Sequence, residues 1–198
     1  FYLNEMSEIA IKFSGTIDKF IGDGIMIFFG DPKSEGIEQD AKNCVQMAVE
    51  MQKRMKELED VWGKKFGLKE KLSVRIGINT GFCTVGNFGS EQRIDYTAMG
   101  SQVNLASRLE GMSNPGSIII SEETYMIVKS MYDFLKPIEI NAKGFSRKIK
   151  YFEINMEESS KMHFSNISGL GYELVINEDL FEKKSLDELK IKLEKLEK

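Results

Sequence analysis

A few short polar segments carry side chains that could handle a phosphorylated small molecule. Asp23 lies between Gly22 and Gly24. An aspartate in a tight turn can hold a hard cation, and flanking glycines let a polyphosphate approach the backbone closely. The Asp-Gly pair is also common in plain hairpin turns. The segment alone therefore leaves a metal ligand and an ordinary turn as alternatives.

Asn104 and Arg108 are four residues apart in a segment with helical periodicity. Residues at this spacing share one helix face, where a carboxamide and a guanidinium could together hold a ribose and a phosphate. Such a pair is also common on solvated surfaces. Thr97 precedes it on a predicted strand, and Leu105 and Leu109 at the same strand-to-helix crossing are typical of a core. Polar groups in a buried element favour a functional role.

Lys143 and Gly144 begin a basic turn that continues to Lys148. This turn suits a polyphosphate and equally suits an ordinary exposed hairpin. The lone histidine, His163, lies in a polar stretch, whereas a general base belongs near a pocket. We expect His163 to have no catalytic role.

The element that must position Asp23 is a predicted antiparallel hairpin. Residues 16–21 and 25–29 are two β-rich runs, and the turn between them places Asp23 at the tip. A helix precedes the hairpin, and Gly15 is the predicted C-cap of that helix. The hairpin would therefore expose the aspartate at its end.

One long amphipathic helix is predicted from Ile37 to Trp62, because apolar residues recur at intervals of three and four. The same spacing would fit a coiled-coil seam, but small and flexible seam residues favour packing on a sheet. Further strands are predicted over 72–78, 84–85, 94–98, 117–120 and, two or three of them, 134–154, with helices over 102–112 and 122–130. Strands and helices interleave, which predicts an α/β or α+β sandwich.

The composition of the 198 residues is that of an ordinary soluble domain with a tail, with 41% hydrophobic residues and a net charge of −4. The acidic balance argues against nucleic-acid binding, which needs a basic stripe. No apolar run approaches the ~18–20 residues of a membrane span. We expect no membrane contact by this segment.

Two further expectations concern the setting of the chain. Cys44 and Cys83 lie far apart, so they are interpreted as buried small hydrophobes in a reducing, cytoplasmic compartment. The sequence begins at Phe1 rather than Met, so we expect it to be part of a longer product.

A change in composition after Met156 divides the chain into a domain, residues 1–156, and a polar C-terminal extension, residues 157–198. Ser185 and Glu188 form a capping pattern that opens a final helix with a leucine face. The leucines cover less than two heptads, which favours a docked terminal helix or the start of a linker over a coiled coil.

Five motifs follow one another along the chain: DKFIGDGIMIFFG at 18–30, RIGINTG at 75–81, DYTAMG at 95–100, VNLASRL at 103–109 and KGFS at 143–146. Together they resemble the class III nucleotidyl cyclase catalytic domain in its bacterial adenylate cyclase form. The resemblance runs from about Phe1 to Ile154 in the order and spacing of the family. Together with the order of the elements, it implies an α+β fold with a ferredoxin-like βαββαβ core and helices on one face of a mostly antiparallel sheet. It also implies conversion of ATP into 3′,5′-cyclic AMP and pyrophosphate.

The resemblance also implies the site residues. They are Asp23 as a metal ligand, Lys19 and Thr97 on the adenine ring, Asn104 on the ribose, Arg108 on the α-phosphate and Lys143 on the outgoing phosphates. Thr97 stands where many adenylate cyclases have Asp, and the family's guanylate cyclases have Glu and Cys at the Lys19 and Thr97 positions. A lysine donor suits N1 of adenine, so ATP is favoured, with a guanylate cyclase as the alternative.

Two Mg²⁺ or Mn²⁺ ions and a homodimer with sites between the subunits are implied in the same way. The family's first metal aspartate lies in a Phe-x-Asp segment on a strand before the first helix, and this chain starts inside that helix. We therefore expect weak or no activity from this chain alone, because one carboxylate holds two ions poorly. We also expect an unpaired sheet edge or gap, which invites pairing with another chain.

Two other classes of protein fit these residues less well. A diguanylate cyclase would need a Gly-Gly-[Asp/Glu]-[Asp/Glu]-Phe turn, which the segment around Asp23 lacks, and it has no counterpart of Asn104 and Arg108. A catalytically silent regulatory or dimerisation module has no reason to keep the complete set of site residues. The sequence therefore favours an enzyme.

Overall fold

The computed structural model describes residues 1–140, 149–159, 164–169, 172–177 and 189–191. Its helices are α1 (Tyr2–Lys12), α2 (Ile37–Glu57), α3 (Glu59–Phe66), α4 (Ser101–Met112), α5 (Glu122–Val128) and α6 (Met156–Ser159). Its strands are β1 (Thr16–Ile21), β2 (Gly24–Phe28), β3 (Ile76–Ile78), β4 (Thr84–Ser90), β5 (Arg93–Met99), β6 (Ile118–Ser121), β7 (Ile138–Ile140), β8 (Ile149–Glu153), β9 (Phe164–Gly169) and β10 (Tyr172–Asn177). Apart from the parallel β3–β6 pair, the described strand pairs are antiparallel. The predicted α+β class is confirmed.

β1 and β2 form the predicted hairpin, and Gly22 and Asp23 make its turn. Gly22 has a φ of 64°, a left-handed conformation that glycine adopts without steric cost. Pairing begins with Thr16 opposite Phe28 and continues to the turn, so Asp23 lies at the tip as predicted. Within the described ranges the hairpin forms a sheet of its own, which agrees with the expected unpaired edge.

The predicted role of Gly15 as a helix cap is wrong. α1 ends at Lys12, and the residue in the left-handed conformation is Ser14, with a φ of 64°. The Gly15 N–H donates to the carbonyl of Ala10 at 2.8 Å, and a Cβ on Gly15 would lie 2.9 Å from Cγ2 of Ile27. Glycine is needed here because the β2 strand approaches closely.

The single long helix predicted from Ile37 to Trp62 is divided at Leu58 into α2 and α3. Leu58 has a ψ of −3°, which departs from the helical value of about −42°. The bend lets the Trp62 ring pack 5.5 Å from the ring of Phe1 at the start of α1. Tertiary packing between aromatic rings therefore overrides the helical periodicity.

Four strands form one sheet in the order β3-β6-β8-β7. Ile118, Ile119 and Ile120 of β6 are all buried. Because alternate residues point to opposite faces, Ile118 and Ile120 pack with side chains from α2 and α5, whereas Ile119 packs with leucines of α4. The prediction of helices on one face is wrong, since consecutive buried isoleucines need cover on both faces.

α4 lies unusually close to β3. A Cβ on Gly77 would lie 2.1 Å from the backbone nitrogen of Glu110 and 2.5 Å from the carbonyl of Ala106, so only glycine allows this approach. β3 is shorter than the predicted strand over 72–78. The Val74 carbonyl accepts hydrogen bonds from Gly116 N–H and Gln52 Nε2, both at 2.9 Å, which places it in a network outside the strand.

The two cysteines differ, and the expectation of two buried thiols is wrong for Cys83. Cys83 is exposed because it lies in the loop between β3 and β4 beside the exposed Phe82, and loops run over the surface. Cys44 of α2 packs against the core. Burial raises the pKa of the Cys44 thiol to about 12.

Contacts divide the chain into two compact units, Phe1–Met156 and Glu157–Lys198. In the second unit β9 and β10 form an antiparallel hairpin, which the sequence analysis did not predict. Residues 189–191 are helical, and the rest of the predicted final helix lies outside the described residues. Among the helices of the described ranges, none has the length and apolar character needed to cross a membrane.

Candidate functional site

A buried carboxylate joins the β1–β2 hairpin to β5. The Asp18 side chain is 0% exposed. Its Oδ2 accepts hydrogen bonds from the Thr97 hydroxyl at 2.7 Å and from the Ala98 N–H at 2.9 Å. Its Oδ1 lies 3.2 Å from Nζ of Lys19. One carboxylate thus contacts both residues that the sequence predicts on the adenine ring, and we call Asp18, Lys19 and Thr97 the Asp18 junction.

An irregularity in β1 explains how neighbouring residues reach the same place. Ile17 pairs with Ile27 and Lys19 pairs with Met26, so Asp18 is an extra residue without a partner on β2. In a regular strand Asp18 and Lys19 would point to opposite faces. A β-bulge re-aims side chains, and here the two side chains meet as an ion pair.

The Asp18 junction lies at the border between core and surface. Thr97 is 6% exposed, whereas the Lys19 side chain is 40% exposed. The site therefore offers an ammonium donor with access to solvent beside a hydroxyl whose neighbours are protein atoms. Such a pair can recognise the polar edge of a planar ring.

A second link connects the end of the hairpin to β5. The Tyr96 hydroxyl donates a hydrogen bond to Oδ1 of Asp31, and the Thr16 hydroxyl donates to the Asp31 carbonyl at 2.6 Å. The hydrogen bond to Asp31 is the main reason that the pKa of Tyr96 is raised. Two adjacent residues of β5, Tyr96 and Thr97, are therefore each held by an aspartate.

The predicted pair on α4 lies on an exposed face. Asn104 and Arg108 are one helical turn apart and both are exposed, while Leu105 and Leu109 of the same helix are buried. The Asn104 N–H donates to the carbonyl of Gly100, which caps the helix. The amphipathic sequence of α4 thus places the two polar side chains on one face, as predicted, and this face is exposed rather than part of a buried element.

Asp23 is exposed at the hairpin tip. Burial and, secondly, the negative charge of Asp23 raise the pKa of Tyr2 on α1, so the carboxylate lies near the start of that helix. Lys19 is four residues away, a distance on the order of 10 Å along an extended chain. In the described part of the chain no three acidic, histidine or cysteine side chains form a metal-binding group. Asp23 alone does not fit a complete metal site.

Two residues singled out in the sequence, Lys143 and His163, lie outside the described residues. Asp18 is the residue that sequence reasoning missed, although the first motif contains it. The available signal was a charged residue between Ile17 and the apolar run that follows Lys19. Strand alternation predicts a solvated side chain there, because a bulge cannot be read from the sequence pattern.

The fold and this arrangement of side chains together point to the class III nucleotidyl cyclases. Residues 4–156 match the family model described as the adenylate and guanylate cyclase catalytic domain. The chain belongs to this family, which confirms the resemblance inferred from its motifs. Cyclase domains of this family depend on metal ions in general.

Individual relatives agree. The chain is 32% identical over 155 residues to adenylate cyclase 1 of Rhizobium meliloti (strain 1021), covering 77% of this chain and 23% of that protein. It therefore spans about a quarter of the length of that relative. The adenylyl cyclase CyaB from P. aeruginosa is 50% identical with a TM-score of 0.73, covering 77% of this chain and 78% of the other. The guanylyl cyclase Cya2 is 35% identical with a TM-score of 0.71, covering 77% and 76%.

Proposed function

We propose that residues 1–156 are an adenylate cyclase domain that converts ATP into 3′,5′-cyclic AMP and pyrophosphate, and that residues 157–198 are an extension to it. The observation that supports this most directly is the Asp18 junction, where Lys19 and Thr97 lie on one carboxylate. A lysine donor suits N1 of adenine, and a hydroxyl suits the exocyclic amino group. The family's guanylate cyclases carry Glu and Cys at these positions, which favours ATP.

In the reaction, the ribose 3′ oxygen attacks the α-phosphorus in line. A new bond forms between the 3′ oxygen and the α-phosphorus. The bond between the α-phosphorus and the oxygen that bridges to the β-phosphate breaks, so that pyrophosphate leaves, and the 3′-hydroxyl proton passes to solvent. Asn104 orients the ribose, and the Arg108 guanidinium stabilises the charge that develops on the α-phosphate. Lys143 is assigned to the outgoing pyrophosphate.

Mg²⁺ or Mn²⁺ is the proposed cation, with Asp23 as one ligand, since hard divalent cations prefer carboxylate oxygens. When bound, such ions neutralise phosphate charge and polarise the reacting oxygens. Asp23 is the one candidate ligand among the described residues.

The active unit is proposed to be a homodimer with sites between the subunits. Apolar side chains are exposed along the hairpins and the β3–β4 loop, namely Phe20, Ile21, Phe82, Ile94 and Met99. Exposed apolar surface of this kind is typical of interaction sites. In the family arrangement, Asp23 of one subunit and Lys19, Thr97, Asn104, Arg108 and Lys143 of the other serve one nucleotide.

Mixing two defective variants tests the dimer. The test uses chains extended at the N-terminus by the family's Phe-x-Asp segment, because one carboxylate holds two ions poorly. Extended Asp23→Ala and Arg108→Ala proteins are each expected to be nearly inactive, but their heterodimer has one site with both defects and one with neither. Activity should return toward about half of the wild-type value per heterodimer. Absence of recovery despite demonstrated subunit exchange would mean that the whole site lies within one chain or that the residues are assigned to the wrong half-sites.

A cytoplasmic location is proposed from the two free cysteines, Cys44 and Cys83, because unpaired thiols are typical of a reducing compartment.

The activity itself is tested on the chain extended in the same way, by incubating it with ATP or GTP and Mn²⁺ and measuring cyclic nucleotide and pyrophosphate. We expect equal amounts of cyclic AMP and pyrophosphate from ATP, little product from GTP, and loss of product in Arg108→Ala. Preference for GTP would indicate a guanylate cyclase instead. Nucleotide binding without turnover, even with excess Mn²⁺, would indicate a silent regulatory domain.

A further inference from the structure

We propose that Asp18 is a positioning residue that sets the hydrogen-bond polarity of the purine pocket, making Thr97 an acceptor and Lys19 a donor. This inference rests on the proposed function and adds a determinant of its base specificity. Asp18 itself is not placed on the nucleotide. Its side chain is fully buried, so it acts through the two residues that it contacts.

Both oxygens of the Asp18 carboxylate lie next to groups that can donate hydrogen bonds. Oδ2 accepts hydrogen bonds from the Thr97 hydroxyl and the Ala98 N–H. Oδ1 is buried and receives no hydrogen bond of good geometry among the described residues, so the Lys19 ammonium 3.2 Å away balances it. A buried carboxylate is costly unless donors and an opposite charge surround it. Lys19, Thr97 and Ala98 are therefore held in place by Asp18.

The polarity of Thr97 follows from the use of its single proton. A hydroxyl has one donor and two acceptor lone pairs. The proton lies toward Oδ2 of Asp18 at 2.7 Å, and the other acceptor in reach, the Ala98 carbonyl, is at 3.4 Å. With the proton committed, Thr97 presents lone pairs to a ligand. The exocyclic amino group of adenine can donate to them, whereas the carbonyl oxygen of guanine cannot.

Lys19 has the opposite role and acts as a hydrogen-bond donor. An ammonium has three N–H donors and no acceptor, and Asp18 engages one side of it. The remaining donors suit N1 of adenine, which is an acceptor. N1 of guanine carries a hydrogen and would face a second donor. A single buried carboxylate thus makes both residues fit adenine and oppose guanine.

The β-bulge supports this role independently. Asp18 is the residue without a partner in the β1–β2 pairing. The Ala98 N–H of β5 donates its hydrogen bond to the Asp18 side chain rather than to the backbone of β1. The regular pairing of the hairpin is therefore interrupted at Asp18, the residue whose side chain contacts β5. Bulges that re-aim a side chain are typical of functional sites.

The decisive variant is Asp18→Asn, which keeps the shape of the side chain but replaces one oxygen with an NH₂ donor. If the nitrogen takes the place of Oδ2, it faces the Ala98 N–H and releases the Thr97 proton. If it takes the place of Oδ1, it faces the Lys19 ammonium. Either orientation disturbs one of the two purine-reading groups.

We expect Asp18→Asn to lower the ratio of kcat/KM for ATP over GTP by about tenfold, the size of one misdirected hydrogen bond. Binding of 3′-deoxy-ATP and 3′-deoxy-GTP, which lack the attacking oxygen, should show the same change by calorimetry. Asp60→Asn is the matched control, because Asp60 pairs with Lys64 at 2.9 Å on the exposed surface of α3. This control should leave the ratio unchanged.

The outcomes separate the inference from the proposed function. Equal losses for both nucleotides in Asp18→Asn, with an unchanged ratio, would overturn the positioning role while the cyclase activity stands. Absence of both activity and nucleotide binding in the wild type would overturn the proposed function. If Asp18→Asn unfolds at assay temperature, Asp18→Ser, which offers a smaller acceptor, takes its place, and an unchanged ratio in that variant likewise overturns the inference.

Discussion

The Asp18 junction and the exposed face of α4 contribute to the same proposed site in different ways. Lys19 and Thr97 contact one carboxylate within the chain, whereas Asn104 and Arg108 lie on the exposed face of a helix whose other face is packed. In the proposed cyclase, base selection is therefore determined within a single chain, whereas handling of the phosphate requires a partner subunit to cover the α4 face.

This difference predicts that the two regions fail in different ways. Damage to the junction should change which nucleotide is used, and damage to the α4 face should change how fast it reacts. Substitutions in each region separate these two effects.

The largest effect is expected for Arg108→Ala, which removes the proposed charge on the α-phosphate. We expect kcat to fall by roughly 10–10³-fold with a smaller change in KM, since the group acts mainly in the transition state. Asn104→Ala should show a loss of the same kind. Ser107→Ala, at an exposed neighbouring position on α4, is the control. An Arg108→Ala protein with full kcat would show that this face is only solvated surface.

Exchanging the purine-reading pair should alter specificity. Lys19→Glu combined with Thr97→Cys is expected to shift the kcat/KM ratio toward GTP by about tenfold or more, because the new side chains then pair with the guanine edge. Total activity should fall, since the shape of the pocket also changes. Steady-state rates with both nucleotides provide the measurement. A double variant that keeps the original preference would contradict the assignment of these residues.

Moving α4 as a whole should affect rate without affecting specificity. Gly77→Ala places a Cβ against the backbone of α4, so we expect the free energy of unfolding to fall by about 1–3 kcal/mol, as in overpacked cores. Gly111→Ala on the same helix meets nothing within 4 Å and should raise that free energy by about 0.5–1 kcal/mol.

Urea titration measures both changes. In Gly77→Ala the ATP-to-GTP ratio should remain while kcat falls. A Gly77→Ala protein as stable as the wild type would show that α4 can move away from β3 at little cost.

The smallest effect is expected from chemical labelling of the two cysteine thiols. At pH 8, Cys83 should react with a maleimide because it is exposed, whereas Cys44 should stay protonated and unmodified because its pKa is raised to about 12. Modification of Cys44 should begin only when the protein unfolds or the pH rises toward that value. Mass spectrometry of the labelled protein checks this, and rapid double labelling of the native protein would contradict it.

The sequence predicted the elements whose signals are local. The Gly22-Asp23 turn and the apolar face of α4 depend on neighbouring residues, so periodicity and turn chemistry were sufficient. The break at Leu58 depends on an aromatic contact between Trp62 and Phe1, residues that are distant in the chain. The sequence pattern contains no record of that contact.

The candidate site divides along the same line. The motif resemblance assigned Lys19 and Thr97 one by one, but the carboxylate between them was assigned no role. Asp18 belongs to the site because a bulge turns it toward a strand nearly 80 positions later. Hydrogen bonds of this separation follow from the fold, so their partners became identifiable only in three dimensions.

Because β6 is an inner strand of its sheet, a shortened chain is expected to stay in solution only if it keeps β8. β6 pairs with β3 on one side and with β8 on the other. A chain cut after residue 148 lacks β8 and would present Ile119 and Ile120 along an open apolar edge, which recruits strands from other molecules. A chain cut after Met156 keeps β8 and the hydrogen bond from Ile154 N–H to the Ile118 carbonyl, at 3.0 Å. The first shortened chain is expected to aggregate during expression, while the second should be recovered in the soluble fraction.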